Sequence, residues 1–138
     1  MRMAAGYSKR SLVQKLGIKA GMKICILNAP EGYEETLGPL PEGVRCSDLL
    51  SGNLDFIHYF TRETSALERD LPELKTGLAF SGMLWLSWPK RTSPLATDLK
   101  ESDVRALGLG IGLVDVKICA VDEDWSGLKF VYRVKDRK

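Results

Sequence analysis

The chain alternates short apolar runs with a stretch of leucines at helical spacing, and this alternation limits the folds that it can adopt. The first apolar runs of strand length are Met22–Leu27, Val44–Asp48, Leu54–Phe60 and Met83–Trp88. Between the last two runs, leucines recur at every third or fourth position, namely Leu67, Leu71, Leu74 and Leu78. That spacing places all four on one face of a helix. Strands that alternate with helices predict a mainly parallel sheet with helices packed on both of its faces.

Both ends of the chain extend this pattern. Ser8 predicts the start of a short N-terminal helix, and Gly17 predicts its end. The C-terminal part predicts a helix over about Leu99–Ile111, followed by strands at Val114–Val121 and Leu128–Val134. The intervening turn is short enough to pair those two strands antiparallel.

One residue disturbs the helical stripe. Pro72 lies among the leucines, where it removes a backbone N–H and crowds the preceding turn. We therefore expect either a kink at this position or two separate helices.

These elements predict an α/β fold: a three-layer Rossmann-like domain with a mainly parallel sheet of about six strands and an antiparallel strand from the C-terminal hairpin. A chain of 138 residues suits one domain. We expect residues 1–138 to form that domain, with an N-terminal helix and turn over residues 1–21 and a basic tail at residues 135–138.

Composition excludes several classes of protein. Lys and Arg number 20 against 18 for Asp and Glu, so the formal net charge of +2 gives no general signal for nucleic-acid binding. No apolar run approaches the ~20 residues that span a bilayer, and no secretory signal is visible. The three cysteines lie far apart and form no C-x-x-C pair. We therefore expect a cytoplasmic protein without a membrane partner or a nucleic-acid partner.

The candidate ligand-binding residues lie where the predicted parallel strands end. In an open α/β sheet, ligands bind beyond the carboxyl ends of the strands. The side chains expected there are Asn28, Glu31, Asp48, His58, Trp88, Lys90 and Arg91. Aromatic surface beside two cations suits a small anionic or nucleotide-like ligand. The structural alternative is an ordinary set of loop residues and strand ends.

Other motifs give no site. His58 is the only histidine, so it cannot form a histidine pair for a metal, and packing at a strand end explains it well. The glycines of Gly108–Gly112 follow a helix and do not have the spacing of a nucleotide-binding loop. The acidic residues of Asp122–Asp124 fit a solvated hairpin turn better than a metal site. No metal site is predicted, and no catalytic residue is assigned.

Part of the chain resembles a known enzyme fold. Leu54–His58, Leu74–Ser87 and the two terminal strands are similar to the second half of class I S-adenosylmethionine-dependent methyltransferases. The whole chain resembles a family of small bacterial proteins known only as a domain of unknown function. The stretches that carry this second resemblance are Leu16–Gly21, Leu27–Tyr33, Trp88–Lys90 and Asp124–Phe130.

The first loop departs from the methyltransferase pattern. That family has a glycine-rich turn after its first strand, whereas this chain has Asn28-Ala29-Pro30-Glu31-Gly32. Pro30 lacks an N–H, and its ring would occupy space that a cofactor needs. Asp48 resembles a ribose-binding carboxylate only in its spacing. We therefore expect a non-catalytic binding protein without a cofactor, whose partner is a small anion, a nucleotide or another protein.

Two alternatives remain open from the sequence. One is a minimal methyltransferase that uses S-adenosylmethionine through a divergent cofactor loop. The other is an interaction or scaffold protein that forms a homodimer or a larger homo-oligomer.

Overall fold

The computed structural model describes residues 10–137, and within them four α-helices alternate with six strands. The helices are α1 (Leu12–Leu16), α2 (Tyr33–Leu37), α3 (Thr64–Gly77) and α4 (Glu101–Gly110). The strands are β1 (Lys23–Leu27), β2 (Arg45–Ser47), β3 (Leu54–Phe60), β4 (Leu78–Pro89), β5 (Leu113–Ala120) and β6 (Trp125–Tyr132). A short 3₁₀ helix, Val134–Asp136, follows the last strand.

All six strands form one sheet in the order β2-β1-β3-β4-β6-β5. The pairs β1–β2, β1–β3 and β3–β4 are parallel, whereas β6 pairs antiparallel with both β4 and β5. The strand order reverses between β1 and β3, which makes that gap the topological switch point. The predicted three-layer Rossmann-like class with an antiparallel C-terminal hairpin is confirmed.

Two clusters of buried side chains cover the two faces of the sheet. On the α1/α2 face they include Leu16, Ile24, Tyr33, Phe60, Trp85 and Trp125. On the α3/α4 face they include Tyr59, Leu67, Leu71, Leu74, Trp88, Val104 and Phe130. Neighbouring strand residues such as Tyr59 and Phe60 fall in different clusters because side chains alternate across a strand.

The alternative of two separate helices at Pro72 is wrong, since α3 runs unbroken from Thr64 to Gly77. Pro72 is exposed, while the neighbouring Leu71 and Leu74 are buried against the sheet. Packing of the leucine face supplies most of the stability of such a helix and outweighs one missing backbone hydrogen bond.

Strand β4 begins earlier than the sequence predicts. It starts at Leu78, directly after α3, and not at Met83, so Phe80 and Gly82 belong to the strand. A Cβ atom at Gly82 would lie 2.7 Å from the carbonyl oxygen of Leu54 on β3. The glycine therefore allows the close approach of two strands, at a point where their register shifts.

The ends of the other elements also differ from the prediction. The N-cap of α1 is Ser11, whose hydroxyl accepts a hydrogen bond from the backbone N–H of Gln14, and Gly17 ends the helix as expected. Ser8 lies outside the described residues. Strand β6 begins at Trp125, three residues before the predicted start, because Asp122 closes the preceding turn by accepting hydrogen bonds from two backbone N–H groups.

Candidate functional site

One cavity opens beside the carboxyl ends of β1 and β2. It has a volume of about 410 Å³, within the range of small-molecule sites. We call it the acidic cavity. Its lining residues are Ile26, Ala29, Pro30, Gly32, Tyr33, Glu34, Glu35, Cys46, Ser47 and Asp48.

The acidic cavity carries one sign of charge. Glu34 and Glu35 contribute carboxylates from α2, and Asp48 contributes another immediately after β2. No lysine or arginine of residues 10–137 lines it. A ligand with positive charge is therefore favoured here over a phosphate-bearing one.

The loop after β1 leaves room for a ligand although it has few glycines. Asn28 adopts the left-handed conformation, with φ of 62°, which asparagine tolerates better than most residues. Its side-chain amide donates a hydrogen bond to the carbonyl oxygen of Phe60 at 3.2 Å, joining the ends of β1 and β3 at the switch point. Gly32 has φ of 86°, and a Cβ atom there would meet nothing within 4 Å. Bare backbone thus borders the cavity beside Pro30, and the expectation that this proline fills the space is wrong.

Two buried side-chain hydrogen bonds fix the position of Tyr33, which lines the same cavity. The Tyr33 hydroxyl lies 2.7 Å from Nδ1 of His58, and Nε2 of His58 lies 2.8 Å from the Ser87 hydroxyl. Burial lowers the pKa of His58 to about 3 and raises the pKa of Tyr33, so the ring and the phenol are both neutral near pH 7. Tyr33 is in this way held against β3 and β4 while it lines the cavity. His58 does not reach the rim as a ligand-binding residue, which agrees with the structural alternative.

A second cavity, of about 490 Å³, opens beside the carboxyl end of β4, and we call it the basic cavity. It is lined by Trp88 and Ser126 on the sheet, by Lys90 and Arg91 in the following loop, and by Lys100, Glu101, Ser102 and Arg105 at the start of α4. Cations outnumber carboxylates four to one in this lining. An anion is therefore the favoured ligand.

The seven candidate residues do not form one site. Trp88, Lys90 and Arg91 line the basic cavity, whereas Asp48 lines the acidic one. Asn28 and Glu31 are exposed loop residues that line neither cavity. Three strand spacings, roughly 14 Å, separate the ends of β2 and β4, which explains the division.

Residues at the starts of two helices line the cavities although they are not among the predicted site residues. Glu34 and Glu35 on α2, and Lys100, Ser102 and Arg105 on α4, line the two cavities. A helix that follows a parallel strand begins at the carboxyl edge of the sheet, so its first turns face the site. This rule would have allowed the first residues of α2 and α4 to be predicted as site residues from the sequence.

Comparison with known proteins gives matches only among solved structures. No protein-family model matches the chain, and no curated protein sequence is similar to it. A methyltransferase from Aquifex aeolicus, described as dependent on S-adenosylmethionine, aligns over 86% of this chain and 86% of its own, with 13% identity and a TM-score of 0.63. The chain has the fold of class I S-adenosylmethionine-dependent methyltransferases.

Two further structures with this methyltransferase fold contain the cofactor or its product. The magnesium protoporphyrin IX methyltransferase of Synechocystis, with bound S-adenosylhomocysteine, aligns over 88% of this chain and 78% of its own, with 15% identity and a TM-score of 0.58. Fibrillarin from Aeropyrum pernix, with natively bound S-adenosylmethionine, aligns over 87% of this chain and 73% of its own, with 13% identity and a TM-score of 0.56.

These structures contradict the expectation of a non-catalytic binding protein without a cofactor, and they favour the methyltransferase alternative. The expectation was wrong because it took glycine to be necessary in the loop after β1. Asn28 adopts the left-handed conformation there without being glycine. The resemblance to a small bacterial family stays a prediction, as do the cytoplasmic location, the homodimer and the absence of a nucleic-acid partner. Among residues 10–137, no helix combines the length and the apolar character needed to cross a membrane.

Proposed function

We propose that this protein binds S-adenosylmethionine in the acidic cavity and uses it to methylate an acceptor. The main support is the position of that cavity: it lies beside the first two parallel strands of a methyltransferase fold, with Asp48 directly after β2. A carboxylate in this place suits the hydroxyl groups of a ribose.

Charge supports the same ligand. S-adenosylmethionine carries a sulfonium and an ammonium group against one carboxylate, so it is a cation at neutral pH. Glu34, Glu35 and Asp48 attract such a molecule and repel the phosphates of an ordinary nucleotide. This choice replaces the anionic ligand that the sequence suggested for the whole rim.

Three residues of the acidic cavity have separate roles in binding. Asp48 accepts hydrogen bonds from the ribose hydroxyls, and Gly32 allows the ligand to approach bare backbone. Tyr33, fixed by His58, gives the cavity a wall of defined position. When bound, S-adenosylmethionine supplies an electrophilic methyl group. The protein contributes orientation, which accounts for much of the rate in reactions of two bound partners.

Isothermal titration calorimetry tests the assignment with Asp48→Asn and the matched control Glu31→Gln. Both variants replace an exposed carboxylate near the same loops, but Glu31 does not line the cavity. We expect Asp48→Asn to weaken S-adenosylmethionine binding about tenfold or more, since hydrogen bonds to charged groups contribute about 1.5–3 kcal/mol. Glu31→Gln stays within about twofold of the wild type.

Two outcomes would contradict the proposal. One is a wild-type protein that does not bind S-adenosylmethionine or S-adenosylhomocysteine at about 1 mM. The other is equal weakening by both substitutions. Transfer of a radiolabelled methyl group to components of a cell extract then tests the catalytic part. At a concentration of S-adenosylmethionine below the wild-type Kd, Asp48→Asn should transfer at least about tenfold less of the label.

A further inference from the structure

We infer that the basic cavity is a second binding site, which takes a small molecule carrying a phosphate or pyrophosphate group. Neither the fold nor the acidic cavity requires such a site. The inference depends on the convergence of unpaired cations, a loop held by hydrogen bonds and the apolar side chain of Trp88 at one place.

Three of the four cations that line this cavity have no carboxylate partner among residues 10–137. Arg105 donates to Glu101 at 2.9 Å and to Asp115 at 3.0 Å, so the one carboxylate of the lining is already engaged. Among residues 10–137, no carboxylate lies within 4.0 Å of the charged groups of Lys90, Arg91 or Lys100. Three unpaired cations around one cavity repel one another, and a bound dianion removes that repulsion.

The loop that carries Lys90 and Arg91 is held in place by hydrogen bonds to residues distant in the sequence. The backbone N–H of Lys90 donates to the carbonyl oxygen of Asp124 at 2.8 Å. The Ser93 hydroxyl, which is buried, donates to the carboxylate of the same residue at 2.8 Å. Further along, Thr97 donates to the carbonyl oxygen of Arg62 at 2.6 Å. A loop fixed before binding loses less entropy when the ligand arrives.

The remaining lining suits a phosphorylated organic molecule more than a free ion. Trp88 is only 5% exposed and offers an apolar wall, while Ser102 and Ser126 offer hydroxyl groups. An arginine can bind two phosphate oxygens at once, and lysines add point charges. A volume of about 490 Å³ exceeds what a lone phosphate fills.

The position of the cavity suggests a role, and this step alone rests on the proposed function. The end of β4 lies two strand spacings, about 10 Å, from the end of β1 along one edge of the sheet. If the acidic cavity holds S-adenosylmethionine, the basic cavity holds the phosphate group of the methyl acceptor. The opposite charges of the two cavities then keep the two ligands in their own sites.

Calorimetric titration with inorganic pyrophosphate, without S-adenosylmethionine and at about 0.15 M ionic strength, tests the site. The variant is Lys90→Gln with Lys100→Gln, and the control is Lys23→Gln with Lys135→Gln, which removes the same charge from residues outside the cavity. We expect saturable binding to the wild type, weakened at least about tenfold in the cavity variant and within about twofold in the control.

Three results would overturn the inference: no saturable binding of pyrophosphate at about 1 mM, equal losses in both double variants, or tighter binding of a single-stranded oligonucleotide than of pyrophosphate. The Asp48→Asn variant separates this site from the proposed function. It should bind S-adenosylmethionine at least about tenfold more weakly and pyrophosphate within about twofold of the wild type. Failure of the methyltransferase proposal would remove only the first ligand, and failure of this inference only the second.

Discussion

The buried imidazole of His58 joins three elements of the fold, because it lies on β3 and bonds Tyr33 on α2 and Ser87 on β4. It also stacks on Phe60, with 4.1 Å between ring centroids. Since α2 has only five residues, it is too short to hold its position by itself. One buried polar residue therefore fixes a wall of the acidic cavity without touching a ligand.

His58 makes the stability of the protein depend on pH. Its pKa is about 3 in the folded state, where burial excludes the charged form, and about 6.5 in the unfolded chain. Between these values the unfolded state binds one more proton, so stability falls as the pH falls. We expect the free energy of unfolding to decrease by about 1.4 kcal/mol per pH unit between pH 5.5 and 4.5 from this residue. Urea unfolding at a series of pH values measures it.

The control for this effect is His58→Gln, which keeps a donor and an acceptor but does not titrate. Asp70 and Asp115 also have lowered pKa values, through hydrogen bonds from Arg69 and Arg105, but carboxylates of this kind affect stability mainly below about pH 4. The substitution also changes the absolute stability through packing, so the quantity compared is the slope of the free energy of unfolding against pH. If His58→Gln and the wild type had the same slope, His58 would be protonated in the folded state and the prediction would be wrong.

At the level of elements, the sequence predicts the existence of helices and strands better than their ends. The stripe from Leu67 to Leu78 predicts α3 because periodicity is a local property of the chain. The continuity of that helix through Pro72 depends on packing against the sheet, and the early start of β4 depends on the fit of Gly82 against Leu54. Neither contact can be read from neighbouring residues.

Helix α4 offers a direct comparison of two glycines. At Gly108, a Cβ atom would overlap the ring of Phe130, which is fully buried. At Gly110, it would meet nothing within 4 Å. We expect Gly108→Ala to lower the free energy of unfolding by roughly 1–3 kcal/mol through overpacking. Gly110→Ala should be neutral or should raise it by up to about 1 kcal/mol, since alanine favours a helix.

Urea unfolding of both variants at one pH measures this difference. If the two substitutions had the same effect, close packing of α4 on β6 would not explain Gly108. The sequence predicts only that this segment is not a nucleotide-binding loop, and the contact with Phe130 gives the structural reason for Gly108.

At the scale of the whole molecule, the architecture could be predicted and the sites could not. Alternating periodicities limit a chain of this size to few topologies, so the order of elements suffices. A site depends on which side chains meet after folding. Asp48 and Lys90 both follow parallel strands, yet they line different cavities because β1 and β3 separate their strands. The charge of each cavity further depends on the first residues of α2, which follows β1, and of α4, which follows β4.

The two buried clusters share one sheet, so we expect residues 10–137 to unfold as one cooperative unit. Trp85 belongs to the cluster on the α1/α2 face, where its indole N–H donates to the carbonyl oxygen of Leu16 at 2.8 Å. Trp88 belongs to the cluster on the α3/α4 face.

Two variants each keep one of these reporters: Trp88→Phe with Trp125→Phe, and Trp85→Phe with Trp125→Phe. In each variant, the fluorescence transition in urea should coincide with the transition in far-ultraviolet circular dichroism. Because the comparison is made within one variant, a loss of stability from the substitutions does not affect it. A tryptophan signal that changed at a lower urea concentration than the circular dichroism would show that its face of the sheet unfolds separately, and the prediction of a single domain would then be wrong.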